Sequence, residues 1–318
     1  MIDSLKFIKG GVSKNELLSS TSHLQIKNNR ITTYNGTFSI SAPVSIDLNC
    51  NPHAISFVKC IDSCEEIISF SSGNKGDLNI KSGKFKANIK CSIEDGLCII
   101  PEGEIISIDG ERLISCLSML YPFVSTNPIH TWAKSVLISK QSAFATNNIC
   151  LVEYWLGDMF PMELSLPAIT IVELVKLKQA PISMQICENS ITFHYEGAKW
   201  IKTHLIAEKW PDIRKFLDGF SNQKQIPSDL FKGLETIKPF VNRLNQVFIS
   251  KNRVSTTDNY ETGVSFDVDM LDCSGIFSLD MLLLLKNRAT SIDLTTWPKP
   301  CHFRGDNMRG AIIGMRDT

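Results

Sequence analysis

The chain has 318 residues, 43% of them apolar, with 33 basic side chains against 33 acidic ones. That length exceeds one compact core and predicts two or three domains, and the apolar share excludes a disordered chain. Balanced charge excludes a nucleic-acid binder that works by bulk positive charge, though a localised basic face stays open.

In chain order, the opening "MIDSLKFIKGG" lacks the apolar core of a signal peptide. A helix is expected over residues 13–22 ("SKNELLSSTS"), then a strand-turn-strand, "LQIKNNRITTY", that reaches a tip at Gly36. A second helix over 52–64 and strands turning near Gly83 follow. The same order then recurs: helix 110–123, strands "VLISKQSAFAT" with a tip at Asn148, helix 167–179, and strands turning near Gly197. It recurs again: helix 228–241, strands "VFISKNRVSTT" with a tip at Asn259, helix 278–288, and strands turning near Gly305. The tips are spaced 112 and 111 residues apart (148 − 36, 259 − 148), and the later turns 114 and 108 (197 − 83, 305 − 197). Glycine or asparagine suits positive φ, so a single match means little, but three at one pitch indicate a repeat. Pro52 and Pro167 are expected in first helical turns, with Ser228 and Ser278 as N-caps. The fold class is therefore α+β, built from three modules at residues 1–103, 104–218 and 219–318, with boundaries near Gly103 and Asp218.

Little in the chain points to chemistry. Ten cysteines show no C-x-x-C spacing; Cys91, Cys150, Cys187 and Cys273 sit in apolar, strand-like runs and read as free buried thiols. The six histidines form no H-x-x-x-H or H-E-x-x-H pattern, "GNKGD" lacks the P-loop lysine and hydroxyl, and no G-x-S-x-G elbow occurs. Asp109 and Glu111 flank a glycine at a helix start, where acids favour the dipole. No enzyme, metal or cofactor is expected. The longest apolar run, "DMLLLLK", falls far short of the ~20 residues of a membrane span. A soluble, cytoplasmic protein without a membrane partner is expected.

Several stretches resemble the bacterial and bacteriophage DNA polymerase sliding clamp, the β-subunit type of processivity factor. "FATNNICL" (144–151) is similar to that family's A-T-D-G-H-R-L hairpin, and "LPAITIVELVKL" (166–177) to its P-x-K-x-x-x-E-L helix. "HLIAEKWPDIRKFL" (204–217) resembles its L-x-x-G-x-F-P-D-Y segment, and "AIIGMRDT" its V-V-M-P-M-R-L tail. Departures stand beside these: Asn147, Asn148, Ile149 and Cys150 replace Asp-Gly-His-Arg, Asp218 and Gly314 replace prolines, and the chain is short for the family. They point to a divergent member, of the phage-encoded kind, working in a bacterial host cell with altered partners.

The resemblance implies a clamp-fold ring that encloses duplex DNA without reading sequence, tethers the replicative polymerase and is opened by a clamp loader. In it, two helices per module line a hole inside a wall of strands. Helices packed ~10 Å apart leave a hole near ~10 Å for six and ~30 Å for twelve. Duplex DNA, with grooves ~8 Å deep, needs the larger, so a head-to-tail homodimer is expected. Basic residues on or beside the helices are then candidates to face DNA: Lys14, Lys59, Arg112, Lys176, Lys178, Lys232, Lys238, Arg243, Lys286 and Arg288. Glu16, Glu111, Glu173, Glu235 and Asp280 dilute them, as suits diffuse attraction, and a solvated helix face is the bland alternative for each lysine. A pocket for partner peptides between modules 2 and 3 is expected from Trp132, Thr146, Leu151, Ile313, Met315 and Arg316, with Ala311 and Asp218 at poorly matched places. The competing reading is a clamp-like scaffold that does not encircle DNA.

Overall fold

A computed structural model describes residues 2–13, 19–65, 67–73, 76–93, 99–126, 129–218, 222–259 and 262–316. From the N-terminus run helix Ile2–Phe7 (α1), a 3-10 turn Ile8–Gly11, helix Ser19–Ser22 (α2), and strands Gln25–Lys27 (β1), Arg30–Tyr34 (β2), Phe38–Pro43 (β3) and Asn51–Pro52 (β4). Helix Ala54–Asp62 (α3) and strands Ile68–Ser72 (β5), Leu78–Ser82 (β6), Phe85–Ile89 (β7) and Cys91–Ser92 (β8) follow. The middle third holds strand Glu104–Ser107 (β9), helix Gly110–Leu120 (α4), strands Ser135–Ser139 (β10), Ser142–Thr146 (β11), Cys150–Trp155 (β12) and Leu164–Pro167 (β13), and helix Ala168–Lys176 (α5). Strands Ser183–Cys187 (β14), Ser190–Tyr195 (β15) and Lys199–His204 (β16) complete it. The last third has strand Lys224–Gln225 (β17), helix Leu230–Ile237 (α6), and strands Gln246–Ser250 (β18), Arg253–Ser255 (β19), Ser265–Asp267 (β20) and Gly275–Ser278 (β21). It closes with helix Leu279–Leu283 (α7) and strands Ser291–Ile292 (β22), Cys301–Gly305 (β23) and Met308–Ile312 (β24).

The tight turns of the first hairpins recur at the pitch read from the sequence. Asn28 and Asn29 (φ 52° and 55°), Lys140 (φ 56°) and Asn252 (φ 55°) each occupy a two-residue connection, the left-handed conformation that such hairpins need. These connections start at 28, 140 and 251, so the intervals are again 112 and 111 (140 − 28, 251 − 140). The tips singled out in the sequence are the next turns along: Gly36 (φ 96°) and Asn148 (φ 71°) have positive φ. Asn259 instead lies in a wider loop closed by Thr256 N–H on Val264 O at 2.9 Å.

Contacts divide the chain into two units. One comprises residues 1–114 and 169–205, the other 115–168 and 206–318. In the first, a seven-stranded antiparallel sheet has the order β1-β2-β3-β16-β15-β14-β9, beside a three-stranded sheet β5-β6-β7 and the short pair β4-β8. The two halves of the large sheet join where β3 pairs with β16 (Ile40 opposite Ile201). Phe38, Ile40 and Ala42 of β3 are buried on one face; Ser39 and Ser41 are buried on the other, where Ser41 Oγ accepts from Arg30 Nε and Thr32 Oγ1. Burial on both faces suits a strand at the centre of a sheet, provided its hydroxyls are paired.

The second unit repeats this design. Its eight-stranded sheet runs β13-β10-β11-β12-β24-β23-β22-β17, joined where β12 pairs with β24 (Val152 opposite Gly310), and a four-stranded sheet runs β20-β19-β18-β21. Helix α6 buries Leu230, Leu234 and Ile237, spaced four and three residues apart, as an amphipathic helix should. Gly233 lets it approach closely, because a Cβ there would lie 2.8 Å from the Phe266 ring.

Local details depart from the sequence reading. The first helix is α1, ahead of the expected 13–22; of that stretch only Ser19–Ser22 is described as helical, and Lys14 and Glu16 lie outside the described residues. Pro52 and Pro167 are the last residues of edge strands β4 and β13, where a missing N–H is tolerated, two and one residues ahead of α3 and α5. His53 caps α3 instead, its ring nitrogen accepting from Ser56 N–H. Asp229 rather than Ser228 is the N-cap of α6, and Ser278 holds the N-cap position of α7 without a capping bond, its hydroxyl accepting from Asn245 Nδ2 instead. Cys150 is buried and lies in β12; Cys91 and Cys187 are in strands but half-buried, and Cys273 is half-buried outside any strand. Asp109 does cap α4, its carboxylate accepting from Arg112 N–H at 3.0 Å.

Candidate functional site

The segment after β16 is strapped onto the face of the eight-stranded sheet. Trp210 Nε1 donates to Ser135 Oγ at 3.1 Å, and Arg214 Nη2 donates to Ser139 Oγ at 3.1 Å with its guanidinium 5.4 Å from the Phe144 ring centre. Ile213 and Leu217 are thereby buried against Leu137, Phe144 and Ala311, and Phe216 is left 54% exposed. Burying Ile213 and Leu217 contributes ~1.5–3 kcal/mol each.

Between this strap and the sheet opens an apolar cavity of about 210 Å³. Trp132, Thr146, Leu151 and Ile313 line it, as the sequence led one to expect; so do Ile149, Pro211, Ile213, Phe216, Pro300 and Ala311. The hydroxyl in its wall is already paired. Thr146 Oγ1 donates to Cys150 O at 2.8 Å and accepts from Asn148 N–H at 3.1 Å. Asn147 Oδ1 accepts from the N–H groups of Ile149 and Cys150 at 3.1 and 2.7 Å, a local turn that explains why asparagine stands there. The cavity therefore favours apolar side chains of an extended ligand.

One rim is fixed by Glu208. Its carboxylate accepts from Thr131 N–H at 2.6 Å, Thr131 Oγ1 at 2.5 Å and Trp132 N–H at 3.2 Å, and it sits 3.1 Å from His130 Nδ1. The Thr131 hydroxyl, then the N–H groups and His130, hold this carboxyl below the ordinary carboxylate range. Trp132 in turn packs on Trp210, ring centres 4.8 Å apart.

Met315 and Arg316 do not line the cavity. Met315 N–H donates to Ile276 O at 2.7 Å, and Met315 O accepts from Trp297 Nε1 at 3.1 Å, so the backbone of the tail is pinned to β21. Asp218 instead meets Arg309 Nη2 at 3.2 Å, beside the Arg309–Glu153 pair. Ile213 and Phe216 belong to the stretch "HLIAEKWPDIRKFL" that carries part of the resemblance, but nothing in its pattern singles them out for the cavity.

The basic residues are less uniform. In the first unit Lys59, Lys176 and Lys178 are exposed, with Lys176 3.6 Å from Glu173, and Arg112 is half-buried. In the second unit Lys238 pairs with Asp280 at 3.3 Å and Lys286 with Glu235 at 2.6 Å, stitching α6 to α7 and its following turn. Lys232 lies over the Phe266 ring, Arg243 is exposed, and Arg288 Nη1 donates to Leu284 O at 2.9 Å. Among the described residues no cluster of three or more His, Cys, Asp or Glu could hold a metal ion, and no helix is long and apolar enough to cross a membrane.

An antiparallel α+β chain whose half-sheets run on from one repeat into the next, with an apolar cavity beside one such join, has the architecture of a clamp. Solved structures agree. The fold is similar to the DNA polymerase sliding clamp of Bacillus subtilis (TM-score 0.84, 15% identity, covering 100% of this chain and 97% of that one). It is also similar to the sliding clamp of Caulobacter crescentus (0.84, 15%, 99% and 97%) and to the DNA polymerase III β subunit of Pseudomonas aeruginosa (0.83, 14%, 99% and 97%). No protein-family model and no curated protein matches the sequence. The chain has the sliding-clamp fold.

Proposed function

We propose that this chain is a DNA sliding clamp: a non-enzymatic, bacteriophage-type processivity factor that closes as a homodimer around duplex DNA in the cytoplasm of a bacterial host. A clamp loader opens it, and the replicative polymerase is tethered through the apolar cavity lined by Trp132, Thr146, Leu151, Ile313 and Phe216. Each chain supplies three modules, 1–103, 104–218 and 219–318. Diffuse attraction from Lys59, Arg112, Lys176, Lys178, Lys232, Lys238, Arg243, Lys286 and Arg288, with Lys14 beyond the described residues, keeps the duplex centred without reading bases.

The observation that carries this reading is an incomplete series of sheet joins. The third strand of one first half pairs with the last strand of the next second half: β3 with β16, then β12 with β24. By the same rule β20 should pair with β7, yet both are sheet edges in the single chain. A second copy supplies the missing partner at each end, and a head-to-tail contact that closes after two chains removes both open edges. The edges are complementary in charge: β7 carries exposed Lys86 with Lys84 and Lys90 beside it, and β20 carries exposed Asp267 with Asp258 and Asp269 nearby. Sedimentation equilibrium tests this: a species near ~71 kDa, twice the 35.6 kDa chain, is expected, and a stable 35.6 kDa monomer favours the non-encircling scaffold.

A further inference from the structure

Apart from the apolar cavity, the first unit contains a charged cleft of about 370 Å³ whose residues neither the repeat nor the motifs singled out as a group. Four lysines from four segments line it: Lys6 of α1, Lys9 of the 3-10 turn, Lys176 in the last turn of α5 and Lys199 at the start of β16. The convergence is built into the packing. Buried Phe7 stands edge-on to Tyr195, ring centres 5.2 Å apart, and Lys199 Nζ lies 5.4 Å from the Phe7 ring centre. Gly10 has no side chain, and the space a Cβ would take is filled by the carboxylate of Glu173 on α5. Thr33 Oγ1 donates to Ile8 O at 3.0 Å and ties the same turn to β2.

The charges do not cancel. Lys9 pairs with Asp62, and Lys176 is 3.6 Å from Glu173. Lys6 and Lys199 have no acidic partner among the described residues, and Asp3 and Glu173 are the only acids in the lining. In a chain with 33 charges of each sign, a cleft with four lysines and two acids is a local excess rather than a sample of the whole.

We propose that this cleft holds a phosphodiester of the DNA backbone, its two free oxygens shared between Lys6 and Lys199. The proposal rests on the sliding-clamp reading and sharpens it: one localised, exchanging phosphate contact per chain, added to diffuse attraction by the helix lysines. The choice of a backbone phosphodiester over a free phosphate or nucleotide rests on the sliding-clamp reading, and the experiment below separates the two. Ammonium groups on flexible stems are point charges that donate to a phosphate oxygen from many directions, without the bidentate fork of arginine. Lysines of this kind suit a monoanion that passes through and is exchanged.

The test is the salt dependence of binding to a linear duplex oligonucleotide, read by fluorescence anisotropy for the full-length protein, Lys6→Ala/Lys199→Ala, and Lys251→Ala as an exposed control. Each phosphate neutralised contributes about 0.9 to the slope of log K against log salt. The double variant should lower that slope by about 1, and Lys251→Ala should leave it unchanged. The single variant Lys6→Glu, at an exposed site, should lower affinity further without shifting the melting temperature. An unchanged slope in a folded double variant overturns the proposal. So does calorimetric binding of inorganic phosphate or a mononucleotide that both lysines support while the duplex slope stays fixed, because the cleft is then a free-anion site. These results leave dimer mass unaffected; a monomer in sedimentation would refute the clamp reading itself.

Discussion

Replacing Ile313 by alanine probes the cavity most sharply. Ile313 is 47% exposed at the cavity wall, so a docked side chain can cover about half of it. Full burial of an isoleucine contributes ~1.5–3 kcal/mol, so covering half contributes ~0.7–1.5 kcal/mol, and losing it weakens binding about three- to twelvefold. The fold should tolerate the change, because the bond that fixes the position, Ile313 N–H on Ile149 O at 2.9 Å, is made by the backbone. The assay is fluorescence anisotropy of a labelled C-terminal peptide of the replicative polymerase encoded in the same genome. Met315→Ala is the contrast: Met315 is pinned to β21 and does not line the cavity, so peptide affinity should change less than twofold. If Met315→Ala weakened binding and Ile313→Ala did not, the peptide would lie along the tail and the cavity assignment would be wrong.

Three further outcomes follow from the geometry. Gly310→Ala should destabilise the second unit by ~1–3 kcal/mol, because a Cβ there overlaps the Phe303 ring and comes within 2.6 Å of Leu151 O at the β12–β24 join; an unchanged thermal midpoint would contradict that packing. Lys86→Glu and Asp267→Lys should each weaken the dimer and, when one chain carries both, restore it; sedimentation at low and high salt reads this, and independence from salt would refute electrostatic pairing of the edges. At the rim, Glu208 has a lowered carboxyl pKa, so its contribution is present above the ordinary carboxylate range and is lost as pH falls through the lowered value. Tryptophan fluorescence from Trp132 and Trp210 should show that acid transition, and Glu208→Gln should abolish it; a transition that survives the substitution belongs to another group.

Most of the architecture was legible because repetition is written in turn residues. Asn28, Asn29 and Asn252 suit positive φ, and the helices follow apolar spacing such as Leu230, Leu234 and Ile237. What pattern cannot carry is pairing between distant strands. Nothing local in "FSISAP" tells that β3 pairs with β16, some 160 residues on, and the two contact units cut across the repeat for that reason. In the cavity, Trp132, Thr146, Leu151 and Ile313 were recoverable by resemblance, but Phe216 and Pro300 come from segments whose apolar residues look like ordinary core. For Met315, pattern does not tell whether a tail that continues from a strand lines a cavity or pins itself to another sheet; the structure pins its backbone to Ile276. The lysine cleft was invisible because its four residues are up to 193 positions apart (199 − 6) and share no motif.

The claim underlying all of this is that two chains shut around a duplex. Loaded onto nicked circular DNA by its clamp loader, the wild-type protein should stay bound through gel filtration in high salt and be lost within minutes once the circle is linearised, as a topologically linked ring must run off free ends. Equal retention on circular and linear DNA, or loss from both, would contradict encirclement.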